Sequence, residues 1–505
     1  MIATADLPDD IDALKAMIVA QGEQNARLET LVAALRKALF GRKSEKVDPD
    51  QFELALEDIE TGIAQVEAEG EANSLVTPTR TSAPRQSNRG SLPKHLPRIE
   101  EMIEPDSTVC DCGAERHVIG EDVSERLDIV PAQFRVIVTR RPKYACRSCE
   151  EGIVQAPAPA HLIPGGMPTE ATIAHVIVSK YADHLPLYRQ AQIYARQGID
   201  LDRSTLAAWV GRAAFELRPV YDALMADLKR STKLFMDETV APVLDPGRKK
   251  TKTGYFWALA RDDRPWGGED PPGVAFTYAP GRAGEYAKQI LVGFNGTLQV
   301  DGYAGYNRLL KRQEGAIRLA HCWAHARRKL FDVTKSGKTT PIADEGIVQI
   351  RKLYRIEKEI RDNAPETRAA ARQERSKPII DQMEIWLRET RSRVSAKSPT
   401  GEALSYIAKH WNGLTVFLDD GRVELDSNSV ERTIRPIALN RKNALFAGHE
   451  AGAQNWAILA SMIETCKLNG VDPHAWLTQT LTAIANGHKQ SDINSLMPWN
   501  YAANV

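Results

Sequence analysis

Lys233-Leu-Phe-Met-Asp237 and Gly296-Thr-Leu-Gln-Val-Asp301 decide the fold. Each is a short apolar run that stops on an aspartate, the pattern of a buried strand reaching the end of a sheet. Between them, Thr253-Gly-Tyr-Phe-Trp-Ala-Leu-Ala and Gly273-Val-Ala-Phe-Thr-Tyr read as two further strands, and 284–292 as a helix. If the first and fourth strands are neighbours, Asp237 and Asp301 lie side by side. Paired carboxylates suit chemistry in which two divalent ions sit about 3.5–4 Å apart around a phosphate. An aspartate closing a strand is also a common turn residue, so a third acid has to come from a helix packed on the same sheet.

Asp426-Ser427-Asn428-Ser429-Val430-Glu431-Arg432-Thr433-Ile434-Arg435-Pro436 supplies one. A Ser/Asn cap before Val430 and Ile434 starts a helix with Glu431 in its first turn. The plainer reading is a favourable first-turn acid paired with Arg435, four residues on. Three strands, a helix and a strand ending in aspartate form the opening of an RNase H-like α/β domain, spanning 230–340 and 421–470. Residues 341–420 read as a helical insertion, since Ile380, Met383 and Leu387, then Leu404, Ile407, Ala408 and Trp411, recur at helical spacing. Residues 471–505 form a C-terminal helical tail.

The 505 residues are 43% hydrophobic and 26% charged, which excludes a collagenous or wholly disordered chain. No run approaches 18 apolar residues and the acidic start lacks a basic-then-apolar leader, so no membrane span or secretory signal is expected, and the cytoplasm is. Lys plus Arg equals Asp plus Glu at 66 each, but the charges are segregated. Residues 48–71 carry acids and no bases, residues 76–98 carry bases and no acids, and 302–330 are basic apart from Glu314. Basic blocks in a neutral chain fit a nucleic-acid binder, although many such blocks are only solvated faces.

Towards the N-terminus, Ile11, Leu14, Ile18, Gln21, Asn25, Leu28, Val32, Leu35 and Leu39 alternate steps of three and four. Residues 8–46 therefore read as a leucine-zipper-like coiled coil with Asn25 on an a position, or else as one amphipathic helix. Residues 47–98 read as a charged flexible linker. In 99–160 strand-like runs at Arg126–Val130 and Phe134–Arg141 accompany Cys110, Cys112, Cys146 and Cys149. Four thiolates suit a closed tetrahedral zinc site in a small zinc-ribbon-like, DNA-binding domain, the alternative being four free cysteines. Residues 168–229 are helical. Leu187–Gln197, a turn with Gly198, and a Ser/Thr-capped second helix outline a helix-turn-helix, though any helical hairpin shares that outline. Arg203, Ser204 and Thr205 would then face DNA.

His321, Cys322 and His325 are possible metal ligands at helical spacing, but lack a fourth partner. The better reading is a basic helix in which His325, Arg327, Arg328 and Lys329 position DNA phosphates near Asp301. Gly337-Lys338-Thr339 resembles the end of a phosphate-binding loop, yet Asp332 stands where its first glycine belongs, so no ATP use is expected. Trp456, Leu459, Ile463 and Cys466 form an apolar stripe and read as core.

Six ordered blocks then carry a resemblance over nearly the whole chain: Met236-Asp-Glu-Thr239, Val300-Asp-Gly-Tyr-Ala-Gly-Tyr306, Cys322-Trp-Ala-His-Ala-Arg-Arg-Lys329, Asn428-Ser-Val-Glu-Arg-Thr-Ile-Arg-Pro436, Arg441-Lys-Asn-Ala-Leu-Phe-Ala-Gly448 and Leu468-Asn-Gly-Val-Asp-Pro473. Their order and spacing resemble the bacterial insertion-sequence transposases of the IS-sixty-six type. The resemblance implies a DDE triad on Asp237, Asp301 and Glu431 holding two Mg²⁺ (or Mn²⁺) ions. It further implies DNA cleavage to a 3′-hydroxyl, joining to target DNA, and contacts from Arg432, Arg435, Arg441 and Lys442. Zn²⁺ and a homodimer or higher oligomer are also expected, and the resemblance suggests a role for companion proteins of the same element. The one departure is the Cys110-x-Cys112 spacing, where a C-x2-C-like knuckle is the pattern. The competing functions are a catalytically inactive DNA-binding regulator and a structure-specific nuclease on the same fold.

Overall fold

A computed structural model describes residues 133–145, 153–245, 250–311, 317–335, 340–444, 447 and 450–501. The expected zipper (8–46), the linker (47–98) and the four cysteines Cys110, Cys112, Cys146 and Cys149 lie outside the described residues. Lys143–Ala145 (β1) and Ile153–Gln155 (β2), which flank Cys146 and Cys149 in sequence, pair antiparallel. The strand expected over Phe134–Arg141 does not form among the described residues. That stretch is extended, with Val136, Ile137 and Val138 exposed, and has no ladder partner there.

Four helices follow: α1 (Glu170–Tyr181), α2 (Leu187–Ala195), α3 (Arg203–Glu216) and α4 (Arg218–Lys229). The α2–α3 connection, residues 196–202, is longer than the three or four residues of a tight helix-turn-helix. Asp202, rather than a serine or threonine, occupies the cap of α3, without a side-chain bond. Arg203, Ser204 and Thr205 form the first turn instead.

The sheet is built from β3 (Lys233–Asp245), β4 (Lys250–Arg261), β5 (Gly273–Ala279), β6 (Gly296–Val300) and β7 (Ile317–His321), with α5 (Gly284–Ile290) between β5 and β6. The spatial order is β5-β4-β3-β6-β7. The β5–β4 and β4–β3 pairs are antiparallel, whereas β3–β6 and β6–β7 are parallel. Gly296 starts β6 at φ +143°, and a Cβ there would lie 2.1 Å from the Thr232 carbonyl. Only glycine lets β6 close onto β3 at that point. The β3–β6 ladder covers Lys233–Phe235 against Thr297–Gln299. Beyond it Ala447 bridges β3, its N–H donating to the Pro242 carbonyl at 3.0 Å and its carbonyl accepting from the Leu244 N–H at 2.8 Å, so Pro242 gives up no ladder donor there. The outer strand β5 is shielded by side chains. Ser461 Oγ and Thr465 Oγ1 accept from the Phe276 and Val274 N–H groups, and Tyr221 donates to the Phe276 carbonyl.

β7 was not anticipated. Its Ile-Arg-Leu-Ala-His run lies in the basic stretch 302–330 without a clean alternation, and pairing to β6 makes it a strand. His321 consequently ends a strand, and only His325 of the presumed helical trio lies on α6 (Trp323–Thr334), which Cys322 caps. The segment 341–420 folds as α7 (Pro341–Ile360), α8 (Pro365–Ala371), a π-helical turn (Arg372–Ser376), α9 (Lys377–Arg393), α10 (Pro399–Lys409) and α11 (Trp411–Leu414). Ile350, Leu353, Met383, Leu387, Leu404 and Ile407 form its core, and α6 contributes Trp323, Ala326 and Leu330 to it. The chain then returns through α12 (Asn428–Ala444), α13 (Glu450–Leu468) and α14 (Pro473–Ala485). Trp456, Leu459, Ile463 and Cys466 of α13 are buried in a second core shared by α1–α4, the sheet and α14. No helix among the described residues is long and apolar enough to cross a membrane.

Candidate active site

The parallel register pairs Phe235 with Gln299, so two residues further on Asp237 and Asp301 stand opposite each other where β3 and β6 part. Asp237 Oδ1 accepts from the Glu238 N–H at 2.8 Å, and Asp301 Oδ1 from the Tyr303 N–H at 2.8 Å. Glu431 enters from the first turn of α12. Burial, then the neighbouring charges of Glu238, Asp301 and Glu431, pushes the Asp237 carboxyl up to about 8. The three sequence-predicted acids therefore share one site. Among the described residues neither Asp237 nor Asp301 has a lysine or arginine ion partner.

Glu431 pairs differently from expectation. Arg435 is exposed and makes no ion pair with it; the cations come across the cleft from α6, with His325 Nδ1 at 3.7 Å and Arg328 at 3.9 Å from its oxygens. Ser427 Oγ donates to Glu431 Oε1 at 3.2 Å, and the Ser427 N–H donates to Cys322 Sγ at 3.3 Å. The return from the insertion is also clamped by Gln299. Its Nε2 donates to the carbonyls of Glu424 and Asp426 at 2.7 and 2.9 Å, and its Oε1 accepts from the Glu424 N–H at 3.2 Å. A buried amide on β6 thus acts as a surrogate strand for the segment that delivers Glu431.

Glu238, which sequence reasoning passed over, is the most tightly held acid here. Arg282 Nε donates to it at 2.5 Å and Tyr306 OH at 2.6 Å, with its side chain 1% exposed. Arg282 stacks on the Tyr303 ring at 3.9 Å, and the Tyr303 OH donates to the Arg282 carbonyl. Tyr303 and Tyr306 come from the Asp-Gly-Tyr-Ala-Gly-Tyr block and were the available signal, whereas Arg282 lies before α5.

The expected DNA contacts are dispersed. Arg203 and Ser204 are exposed and Thr205 half-buried on α3. On α6, Arg328 and Lys329 are exposed, Arg327 lies against Phe331, and His325 turns inward to Glu431. Arg432, Arg435 and Lys442 are exposed on α12, whereas an Arg441 N–H is used by the Val240 carbonyl.

The donor set of the three acids is all oxygen, which suits a hard divalent cation. A buried carboxyl raised by its acidic neighbours fits the same conclusion, because a bound cation would offset that repulsion.

Comparison with known proteins places the chain among transposases. Residues 165–455 match the family model described as "Transposase IS66 family", 461–499 the "IS66 C-terminal element", 107–150 the "zinc-finger binding domain of transposase IS66" and 27–100 "Transposase C of IS166 homeodomain". The chain belongs to the IS66 transposase family. Two relatives from Sinorhizobium fredii (strain NBRC 101917 / NGR234) match end to end. "Uncharacterized protein y4qI" is 44% identical over 99% of both chains, and "Uncharacterized protein y4jD" is 45% identical over 98% of this chain and 97% of its own.

Proposed function

We propose that this transposase binds the ends of its insertion sequence, cuts them to leave a 3′-hydroxyl, and joins that hydroxyl to target DNA on an RNase H-like domain. The observation that carries the reading is the convergence of Asp237, Asp301 and Glu431 where β3 and β6 part. Water attacks the terminal phosphorus, the P–O3′ bond breaks, and the transposon strand keeps its 3′-hydroxyl. In the joining step that hydroxyl attacks a target phosphodiester and displaces the target's own 3′-oxygen.

Asp237, Asp301 and Glu431 would hold Mg²⁺ or Mn²⁺, which when bound activates the attacking oxygen and stabilises charge at the scissile phosphate. The chain's own residues keep these ligands in place: the Glu238 and Tyr303 amides orient the aspartates, and Ser427 orients Glu431. Arg328, exposed beside Glu431, is suited to contact a phosphate oxygen. Arg203, Ser204, Thr205, Arg432, Arg435 and Lys442 serve DNA positioning. Zn²⁺ on Cys110, Cys112, Cys146 and Cys149 serves end recognition, and pairing through the zipper brings two protomers to two ends in the cytoplasm.

The test is cleavage and strand transfer on end-labelled DNA carrying the element's terminal repeats, with Mg²⁺ and any companion proteins, comparing wild type with Glu431→Gln. Nicking at the repeat boundary that disappears in the variant while DNA binding survives supports the reading. Equal activity in both proteins overturns the Glu431 assignment. Specific binding without cleavage favours the regulator, and cleavage without end specificity favours the nuclease.

A further inference from the structure

Cys322, His325 and Glu431 each offer one ligand atom, and these atoms lie within 4.8 Å of one another. Cys322 is fully buried, with Sγ accepting the Ser427 N–H at 3.3 Å. Burial pushes the Cys322 thiol up to about 11 against that N–H bond, so a metal has to displace its proton on binding. His325 Nδ1 is buried, has no hydrogen-bond partner, and faces Glu431 Oε1 at 3.7 Å. The neighbouring His321 turns away: its ring lies 4.7 Å from that of His410 and abuts the Gly413 backbone. The missing third ligand of the Cys–His pair is therefore an acid from α12, distant in sequence.

The donors differ in kind from those of Asp237 and Asp301. A thiolate and an imidazole select a softer ion such as Zn²⁺, whereas an all-oxygen set suits Mg²⁺. Ligand atoms around tetrahedral zinc sit about 3.3–3.8 Å apart, so side-chain movements on the order of 1 Å close this site. Glu431 belongs to both constellations and can be fully committed to only one.

We propose that Cys322, His325 and Glu431 form a binding site for a soft divalent cation of the zinc type, and that its occupancy draws Glu431 from the Asp237–Asp301 pair and halts DNA cleavage. The inhibitory step rests on Glu431 being the third catalytic carboxylate; the site itself does not. Binding releases the Cys322 thiol proton to solvent, and no redox change is involved.

The test uses the full chain. Zinc is titrated against a chromophoric chelator with wild type, Cys322→Ser and His325→Gln, each checked for an unchanged circular dichroism spectrum. The cysteines at 110, 112, 146 and 149 are common to all three proteins and cancel. Wild type is expected to hold one more equivalent of zinc than either variant. With Co²⁺, the wild-type minus Cys322→Ser difference spectrum is expected to show a thiolate-to-cobalt charge-transfer band. Equal stoichiometry in the three proteins overturns the site, and either variant suffices if the other fails to fold. In Mg²⁺-dependent cleavage, added Zn²⁺ inhibits wild type, and its midpoint rises in His325→Gln by at least the about 10-fold that loss of even an outer-shell partner costs. An unmoved midpoint overturns the inhibitory step. If Glu431→Gln cleaves like wild type, the catalytic reading has failed, while the zinc count still decides the site.

Discussion

Two clusters of half-buried acids lie among the described residues, and they are satisfied in opposite ways. In the insertion, Glu357 receives Arg372 through paired bonds of 2.8 and 2.7 Å and Arg368 at 3.3 Å. Arg372 also donates to the Phe417 and Asp420 carbonyls, and Arg368 reaches Glu424 at 2.9 Å. Each acid there has a guanidinium from its own domain. At the sheet, Asp237 and Asp301 have backbone amides and other carboxylates around them, and burial with those neighbours pushes Asp237 up to about 8. The first arrangement is charge-paired and structural, although Arg368 Nε and Nη1 have no hydrogen-bond partner. The second is completed only by something from outside, which is why the site and not the insertion reads as functional.

The largest expected effect lies in the second cluster. Asp237→Asn should lower Mg²⁺-dependent cleavage by at least about 10²–10³-fold, the scale of losing one charge-stabilising group in an active site. Its stability without metal should not fall, because a carboxyl pushed up to about 8 is largely uncharged at neutral pH and the amide matches it in shape and charge. Thermal unfolding and cleavage assays on the same preparation check both halves. A variant that loses activity and melts well below wild type would make Asp237 a structural acid, and the contrast between the clusters would collapse.

The mirror experiment is Glu357→Gln. It leaves Arg372 buried without its counter-charge and Arg368 with Glu424 alone, and breaking a buried pair this way costs about 3–5 kcal/mol. Urea unfolding should show that loss. Because Arg368 also reaches Glu424 in the segment that delivers Glu431, the insertion is tied to the site, and some activity should fall with stability.

Gln299→Leu sits between the two clusters. It removes the donor for the Glu424 and Asp426 carbonyls, each buried orphan costing about 1–3 kcal/mol. With Glu431 less firmly placed, kcat is expected to fall by about tenfold, the kinetic equivalent of some 1.4 kcal/mol, with little change in KM. Gln299→Glu keeps the shape but not the donor and should resemble the leucine variant. Full activity in both would remove Gln299 from the positioning machinery.

How much of this was readable beforehand depended on sequence distance. β3 to β6, and the acids on them, were legible because each strand announces itself as an apolar run ending in aspartate. Glu431 was legible from the capped start of α12. Its partners were not: the i,i+4 rule pointed to Arg435, but tertiary packing turns the carboxylate towards α6, a hundred residues earlier, and leaves Arg435 in solvent. Glu238 was missed for the same reason, since Arg282 and Tyr306 are 44 and 68 residues away. β7 was missed because its strand character comes from its neighbour β6. His321 was accordingly grouped with Cys322 and His325, whereas the real third member of that cluster is Glu431.

The smallest expected effect tests whether an incompletely paired acid away from the site behaves like either cluster. Asp263 is 4% exposed and its Oδ1 has no hydrogen-bond partner. Burial, opposed by Lys233 and Arg261, pushes its carboxyl up to about 6. Between the unfolded value near 3.8 and the folded value near 6 the native state binds more protons than the unfolded one. Stability from this group is therefore lost as pH rises through that window, by an amount on the order of 1–3 kcal/mol. Asp263→Asn should remove the loss, so the difference in unfolding free energy between wild type and variant should change between about pH 4 and pH 7. All other acids are common to the two proteins and cancel. A difference that stays flat with pH would mean that Lys233 and Arg261 offset the burial fully, and Asp263 would then belong with the paired acids of the insertion.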